Sequence, residues 1–215
     1  MIEFLEQWGP ALWNGTQLTL FISFASYVLA LLLGLVLALA RLDRRRWYLY
    51  WPAQIFIEII RGTPLLLQLF YLFFVLPFFG IQLSPLVAGI LGMAINYGAY
   101  MSEIYRAGIE AVDRGQWEAA NALALPWTKI MRFVVLPQAI RIIIPPMGNY
   151  LVSLFKDTAL VSTISITELM YTSRLIGAQT FQYVMTFTIA MAIYFVISYP
   201  AARGVEWLER RMRID

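Results

Sequence analysis

Thr16–Ala40, TQLTLFISFASYVLALLLGLVLALA, contains no charged residue. As a helix it extends about 37 Å at about 1.5 Å per residue, enough to cross a hydrocarbon core of about 30 Å with some tilt. The rest of the chain agrees with that reading. Of its 215 residues, 60% are hydrophobic and 13% charged, against about 25% charged in an ordinary soluble domain. So little polar surface cannot coat a water-soluble globule of this size. The expected fold is an all-α integral membrane protein.

Working outward, the next uncharged run, 62–102, is too long for one crossing. It is interrupted at Gly80-Ile81-Gln82-Leu83-Ser84-Pro85, where Ser84 suits a helix cap and Pro85 a first turn. Two spans fit there. The run 142–155 is shorter and holds Pro145-Pro146, which reads as a broken or buried helix, and a last span begins near Phe181. The chain is thus one domain, 1–215, with about five crossings: roughly 16–40, 54–79, 85–107, 138–156 and 181–203, and a cytoplasmic loop over 108–137. Glu3 and Glu6 precede the first basic residue, Arg41, so the first span is expected to be retained rather than cleaved as a leader.

Orientation follows from arginine placement. Arg41, Arg44, Arg45 and Arg46 follow span one, which puts that loop in the cytoplasm and the N-terminus outside. Five crossings then bring the C-terminus inside, where Arg203, Arg210, Arg211 and Arg213 agree. Arg114, Lys129 and Arg132 also fall inside, whereas Lys156 and Arg174 fall towards the outer side.

Several function classes drop out. Without Cys or His there is no thiolate, imidazole base, disulfide or Cys/His zinc site. A net charge of +3 gives no case for nucleic acid. With no Gly-x-Ser-x-Gly motif either, an intramembrane hydrolase would rest on carboxylates alone; a passive channel or membrane anchor is the other alternative. The only lysines are Lys129 and Lys156 and there is no Gly-x-x-x-x-Gly-Lys-Ser/Thr loop, so ATP is not bound here by that route.

The stretch 106–141 is the one sizeable segment unsuited to lipid. Within it Gln116–Ala124 is helix-prone, with small Ala119, Ala120, Ala122 and Ala124, and Leu125-Pro126-Trp127 interrupts it. Glu118-Ala119-Ala120, then Ala124, then Val134-x-Leu136-Pro137 resembles the EAA loop of bacterial ABC importer permeases, with Ala124 where that family has Gly and Val134 where it has Ile. The Ala matters if the backbone there needs a positive φ. The likeness runs on through Asn14 to Leu20, Arg61 to Gln68 (RGTPLLLQ), Ala99 to Ile109 (AYMSEIYRAGI), Leu136 to Asn149 (LPQA to PPMGN) and Lys156 to Val161 (KDTALV), which is similar to the polar-amino-acid branch.

That resemblance implies a type I importer fold and a coupling helix at Glu118, Ala119, Ala120, Ala124, Leu125 and Pro126. It implies three kinds of partner: a cytoplasmic ATPase dimer, which binds the ATP; a second copy of this chain or a paralogous permease; and an extracytoplasmic solute-binding protein. The setting it implies is a bacterial inner membrane, with no cofactor in the permease itself.

Polar residues at membrane depth are the candidate substrate contacts. Ala88, Gly92, Asn96, Tyr100 and Glu103 share one helical face, and Asn149, Ser153 and Asp157 recur every four residues. Glu103 equally suits a pair with Arg106, and Asp157 a pair with Lys156. Glu58 and Arg61 suit a solvated ion pair at the start of span two, while Gly62-Thr63-Pro64 suits a broken helix on the pathway. Ala30, Gly34 and Ala38 read as a packing ridge. With Asn96, Glu103, Asp157, Asn149 and Ser153 as site residues, two acids lean towards arginine, lysine or histidine; glutamine or glutamate is the alternative.

Overall fold

A computed structural model describes residues 2–212. Nine α-helices follow one another among the described residues: α1 Ile2–Ala40, α2 Trp47–Arg61, α3 Leu65–Phe70, α4 Pro85–Glu110, α5 Arg114–Ala122, α6 Trp127–Lys129, α7 Leu136–Asp157, α8 Leu169–Thr180 and α9 Tyr183–Met212. Single π and 3-10 turns carry α3 on to Phe79, join α6 to α7, and extend α7 as Thr158–Ile164. No strand occurs among the described residues.

Three helical stretches are long and apolar enough to cross a membrane: Glu3–Ala40, Trp127–Ile164 and Tyr183–Met212. The pair Trp47–Arg61 and Leu65–Phe79, bent by 107°, makes a fourth. The third expected crossing, α4, has the length, 26 residues, or about 39 Å, yet falls outside that apolar set. Its position explains why. α4 packs against α1, α2, α3 and α7, so protein rather than lipid surrounds it, and its polar side chains Asn96 and Ser102 are buried.

The ridge expected in α1 is a contact with α4. A Cβ on Gly34 would lie 2.6 Å from Met101 Cβ and 2.9 Å from the Gly98 carbonyl oxygen. Only glycine lets the two backbones come so close. The start of α4 also follows its sequence: Pro85 opens the helix and the Ser84 side chain accepts from the Val87 N–H at 3.4 Å.

Two elements depart from expectation. α1 begins well before Thr16 because its early turns have their own apolar partners: Phe4 and Leu12 pack with Leu169, Ile176 and Ala190 of α8 and α9. And α7 runs unbroken through Pro145-Pro146. The carbonyls that these prolines leave without N–H donors belong to Arg141 and Ile142, which line an open cavity of about 900 Å³ where water can serve them.

Glu168, fully buried, caps α8. It accepts from the Met170 N–H at 2.9 Å, the Tyr171 N–H at 2.8 Å and the Tyr194 hydroxyl at 2.8 Å, with the Thr19 hydroxyl 3.3 Å away. This carboxylate ties α1, α8 and α9 together through neutral donors.

Candidate functional site

The break in the second span builds the site. Pro64 has no N–H and holds an extended conformation, ψ 137°, so the helix cannot run through it. Gln68 closes the gap: its amide donates to the Ile60 carbonyl at 2.8 Å, the Thr63 carbonyl at 3.1 Å and the Thr63 hydroxyl at 2.9 Å. The Gln68 carbonyl accepts from Asn96 Nδ2 at 3.1 Å, which fastens the break to α4. The break expected at Gly62-Thr63-Pro64 is present, with a bend of 107° between the two helical parts. Arg61 does not pair with Glu58 among the described contacts; Glu58 accepts from Gln54 instead.

Beside the break lies a cavity of about 610 Å³, lined by Arg61, Thr63, Asn96, Tyr97, Tyr100, Tyr150, Ser153 and Asp157. Tyr97 donates to Asp157 Oδ2 at 2.6 Å. The Tyr97 and Tyr150 rings meet edge to face with centroids 5.9 Å apart, Tyr100 and Tyr150 lie 5.7 Å apart, and the Arg61 guanidinium sits 5.5 Å from the Tyr100 centroid. The wall therefore carries one cation, one carboxylate, three phenol rings and three short polar side chains.

Both charges remain available. Arg61 is 36% exposed at its side chain, and its nearest carboxylate, Glu103, stands 3.9 Å off, the limit of an ion pair. Asp157 forms no ion pair among the described residues and does not take up Lys156; its recorded partner is a neutral hydroxyl.

Glu103 lies elsewhere. It meets Arg41 at 2.6 Å and Arg106 at 2.7 Å, with Arg61 behind. Arg41 is almost wholly buried and also donates to Gln54 Oε1 at 2.8 Å; Arg106 reaches on to Glu110 at 2.6 Å. These groups line a second cavity of about 660 Å³. The pair with Arg106 that the sequence suggested is present, enlarged by Arg41 from the turn after α1 and Arg61 at the end of α2.

Of the five residues expected to meet substrate, the structure brings Asn96, Ser153 and Asp157 to one cavity. It places Glu103 in the arginine network, and Asn149 is exposed and outside the lining of the first cavity. Sequence reasoning missed Arg61 as a lining cation, and with it Tyr97 and Tyr150. Arg61 was marked only by its place before the helix-breaking Gly-Thr-Pro.

The segment expected to couple to a partner folds as α5 and a tight turn. Asp113 caps α5, accepting from the Gly115 N–H at 2.7 Å. Glu118, Ala119, Ala124 and Pro126 are exposed, Leu125 is half-buried, and Ala120 packs inward. Leu123 stands 74% exposed at the tip. Ala124 has φ +50°, the left-handed conformation that glycine adopts without penalty.

The chain matches the family described as binding-protein-dependent transport system inner membrane component over residues 30–214. It is 44% identical to a probable amino-acid ABC transporter permease protein, y4tG, of Sinorhizobium fredii, over 90% of this chain and 83% of that one. With the L-cystine transport system permease protein TcyB of Bacillus subtilis it shares 37% identity over 96% of this chain and 88% of that one. Its fold superposes on a chain of a crystal structure of an amino acid ABC transporter with histidines, with TM-score 0.92, 37% identity and 96% of each chain covered.

Proposed function

From the premise that this chain belongs to the binding-protein-dependent transport system inner membrane components, as an amino-acid ABC transporter permease, we propose that it carries its ligand as a zwitterion between Arg61 and Asp157. An amino acid brings an ammonium and a carboxylate, and this wall offers one group of each opposite sign: Asp157, without an ion pair among the described residues, and Arg61, held by Glu103 only at 3.9 Å. That pairing of Arg61 with Asp157 in one cavity is the observation that carries the reading. Thr63, Asn96 and Ser153 supply hydrogen bonds for the ends or for a polar side chain.

The three tyrosine faces favour a cationic side chain, since a guanidinium, ammonium or imidazolium is attracted to an aromatic ring. Histidine in the crystallised relative fits that class. A neutral polar ligand such as glutamine is the second reading. It is favoured by Glu103, whose charge three arginines already match, leaving Asp157 as the one open carboxylate.

The power stroke comes from outside the chain. A partner ATPase dimer grips Glu118 to Pro126, where exposed Leu123 and small Ala119 allow close docking. A second copy or a paralogous permease completes the pathway, and an extracytoplasmic receptor delivers the ligand. The N-terminus lies outside and the C-terminus inside, by the arginine distribution. Closure of the ATPases draws the two α5 helices together, and the cavity alternates between outward and inward access.

Uptake of labelled arginine and glutamine into vesicles containing permease, ATPase and receptor tests this. Arg61→Gln and Asp157→Asn are each expected to weaken uptake at least tenfold while the complex still assembles. Unchanged uptake in both variants overturns the zwitterion site. Preference for arginine over glutamine decides between the two ligand classes.

A further inference from the structure

A groove of about 1190 Å³ opens beside the end of α1, between α4, α5 and the first turns of α7. It is layered. The floor is apolar, with Leu35, Leu39 and Ile140 exposed on it and Ile144 between. Its lining also holds two indoles, Trp117 and Trp127, and three arginines: Arg41 and Arg106 are held by Glu103 and Glu110, which leaves Arg114 as the arginine without an ion pair among the described residues.

The arginines are not all spent. Arg114 forms no ion pair among the described residues, and the almost wholly buried Arg41 leaves its Nε without a hydrogen-bond partner among them. Arg44 and Arg45 stand exposed on the adjacent loop, with Asp43 paired to Arg46 at 3.7 Å.

Apolar side chains, two indoles and an arginine without an ion pair among the described residues together line this groove, the chemistries that meet between the acyl chains and headgroups of a membrane. A small soluble anion would leave the floor uncovered, and a zwitterionic lipid would bring its own ammonium towards Arg114, Arg44 and Arg45. We propose that this groove holds an anionic phospholipid, its acyl chain along Leu39, Ile140 and Ile144 and its phosphate at the arginine rim. Because Arg114 and Trp117 belong to α5, the lipid fastens the coupling segment to the bilayer. None of these residues lines the Arg61–Asp157 cavity, so the transport reading and this one fail independently.

Native mass spectrometry of the detergent-purified permease–ATPase complex, with phosphatidylglycerol, phosphatidylcholine or glycerol phosphate added, tests the site. Phosphatidylglycerol is expected to be retained over phosphatidylcholine. Arg114→Gln should cut that preference about fivefold, the share of one arginine near a charged lipid surface, and Arg114→Lys should keep it. Ile144→Trp, which fills the floor, should lower retention of both lipids while the ATPase still co-purifies. Equal retention of the two lipids overturns the proposal. So does retention that ignores Arg114→Gln and Ile144→Trp, or displacement of phosphatidylglycerol by glycerol phosphate, which marks a headgroup-only anion site. Cross-linking that seats a second copy of the chain in the groove overturns it as well.

Discussion

Arg61 lines two cavities, one that holds Asp157 with three tyrosines and one that holds Glu103 with two further arginines. Asp157 and Glu103 are both acids in apolar helices, and composition alone treats them alike. The difference lies in what their charge has left to do. Glu103 is matched by cations of the chain itself, and in a medium of low dielectric a matched pair holds helices in place. Asp157 is served by a hydroxyl, so its charge awaits a cation from elsewhere. An intramembrane acid signals a binding site only when its own fold leaves it uncompensated. Arg61 borders both cavities, so ligand that draws it towards Asp157 draws it from Glu103 as well.

The strongest break of this comparison is Asp157→Asn. It is expected to weaken ligand binding by about 3 kcal/mol, more than a hundredfold, as when one member of a desolvated charge pair is removed. Ligand affinity of the purified complex measures it, with circular dichroism unchanged. Glu103→Gln should act on the other quantity. It strands Arg41, and the expected loss of stability is about 2 kcal/mol, below the value for a fully buried pair because Glu103 keeps 19% of its side chain exposed. Thermal unfolding in detergent reads that loss, while affinity for ligand should fall less than tenfold.

Glu168 sharpens the contrast with a third environment, in which no cation takes part. Burial pushes its carboxyl up, and the Met170 and Tyr171 N–H groups and the Tyr194 hydroxyl pull the other way. With the folded value raised, the folded chain holds a proton that the unfolded chain has already released. The stability from this group is therefore complete below the ordinary carboxylate range and is lost as pH rises through the folded value. Thermal unfolding followed across mildly acidic pH should show that decline. Glu168→Gln should flatten it, at a cost of about 1 kcal/mol from imperfectly served donors. The smallest effect is expected at Ala124→Gly. Relief of the φ +50° strain is worth up to about 1 kcal/mol, partly offset by the freer unfolded glycine. Slower hydrogen exchange at Leu123 to Leu125 would register it.

Local signals carried much of the fold. The Ala30-Gly34-Ala38 ridge, the Ser84-Pro85 start and the interruption at Gly62-Thr63-Pro64 each depend on neighbours within a few residues, and each has its counterpart in the structure. The Glu103 network did not show itself, because Arg41 and Arg61 reach that acid across space, one from the turn after α1 and the other from the end of α2. Asn149 shares the spacing of Ser153 and Asp157, yet it is exposed where they line the cavity. Periodicity gives a face, and only packing says what that face meets. Pro145-Pro146 left a broken or a buried helix open, and the helix runs on unbroken with Pro145 buried, beside a cavity lined by Arg141 and Ile142.

The most direct measurement compares binding of an amino acid with binding of its carboxamide, which lacks the negative charge, to wild-type complex and to Arg61→Gln. If Arg61 holds the ligand carboxylate, the wild type should prefer the amino acid by at least tenfold and the variant should scarcely distinguish the two. Equal discrimination by both proteins would place the ligand carboxylate away from Arg61 and contradict the account.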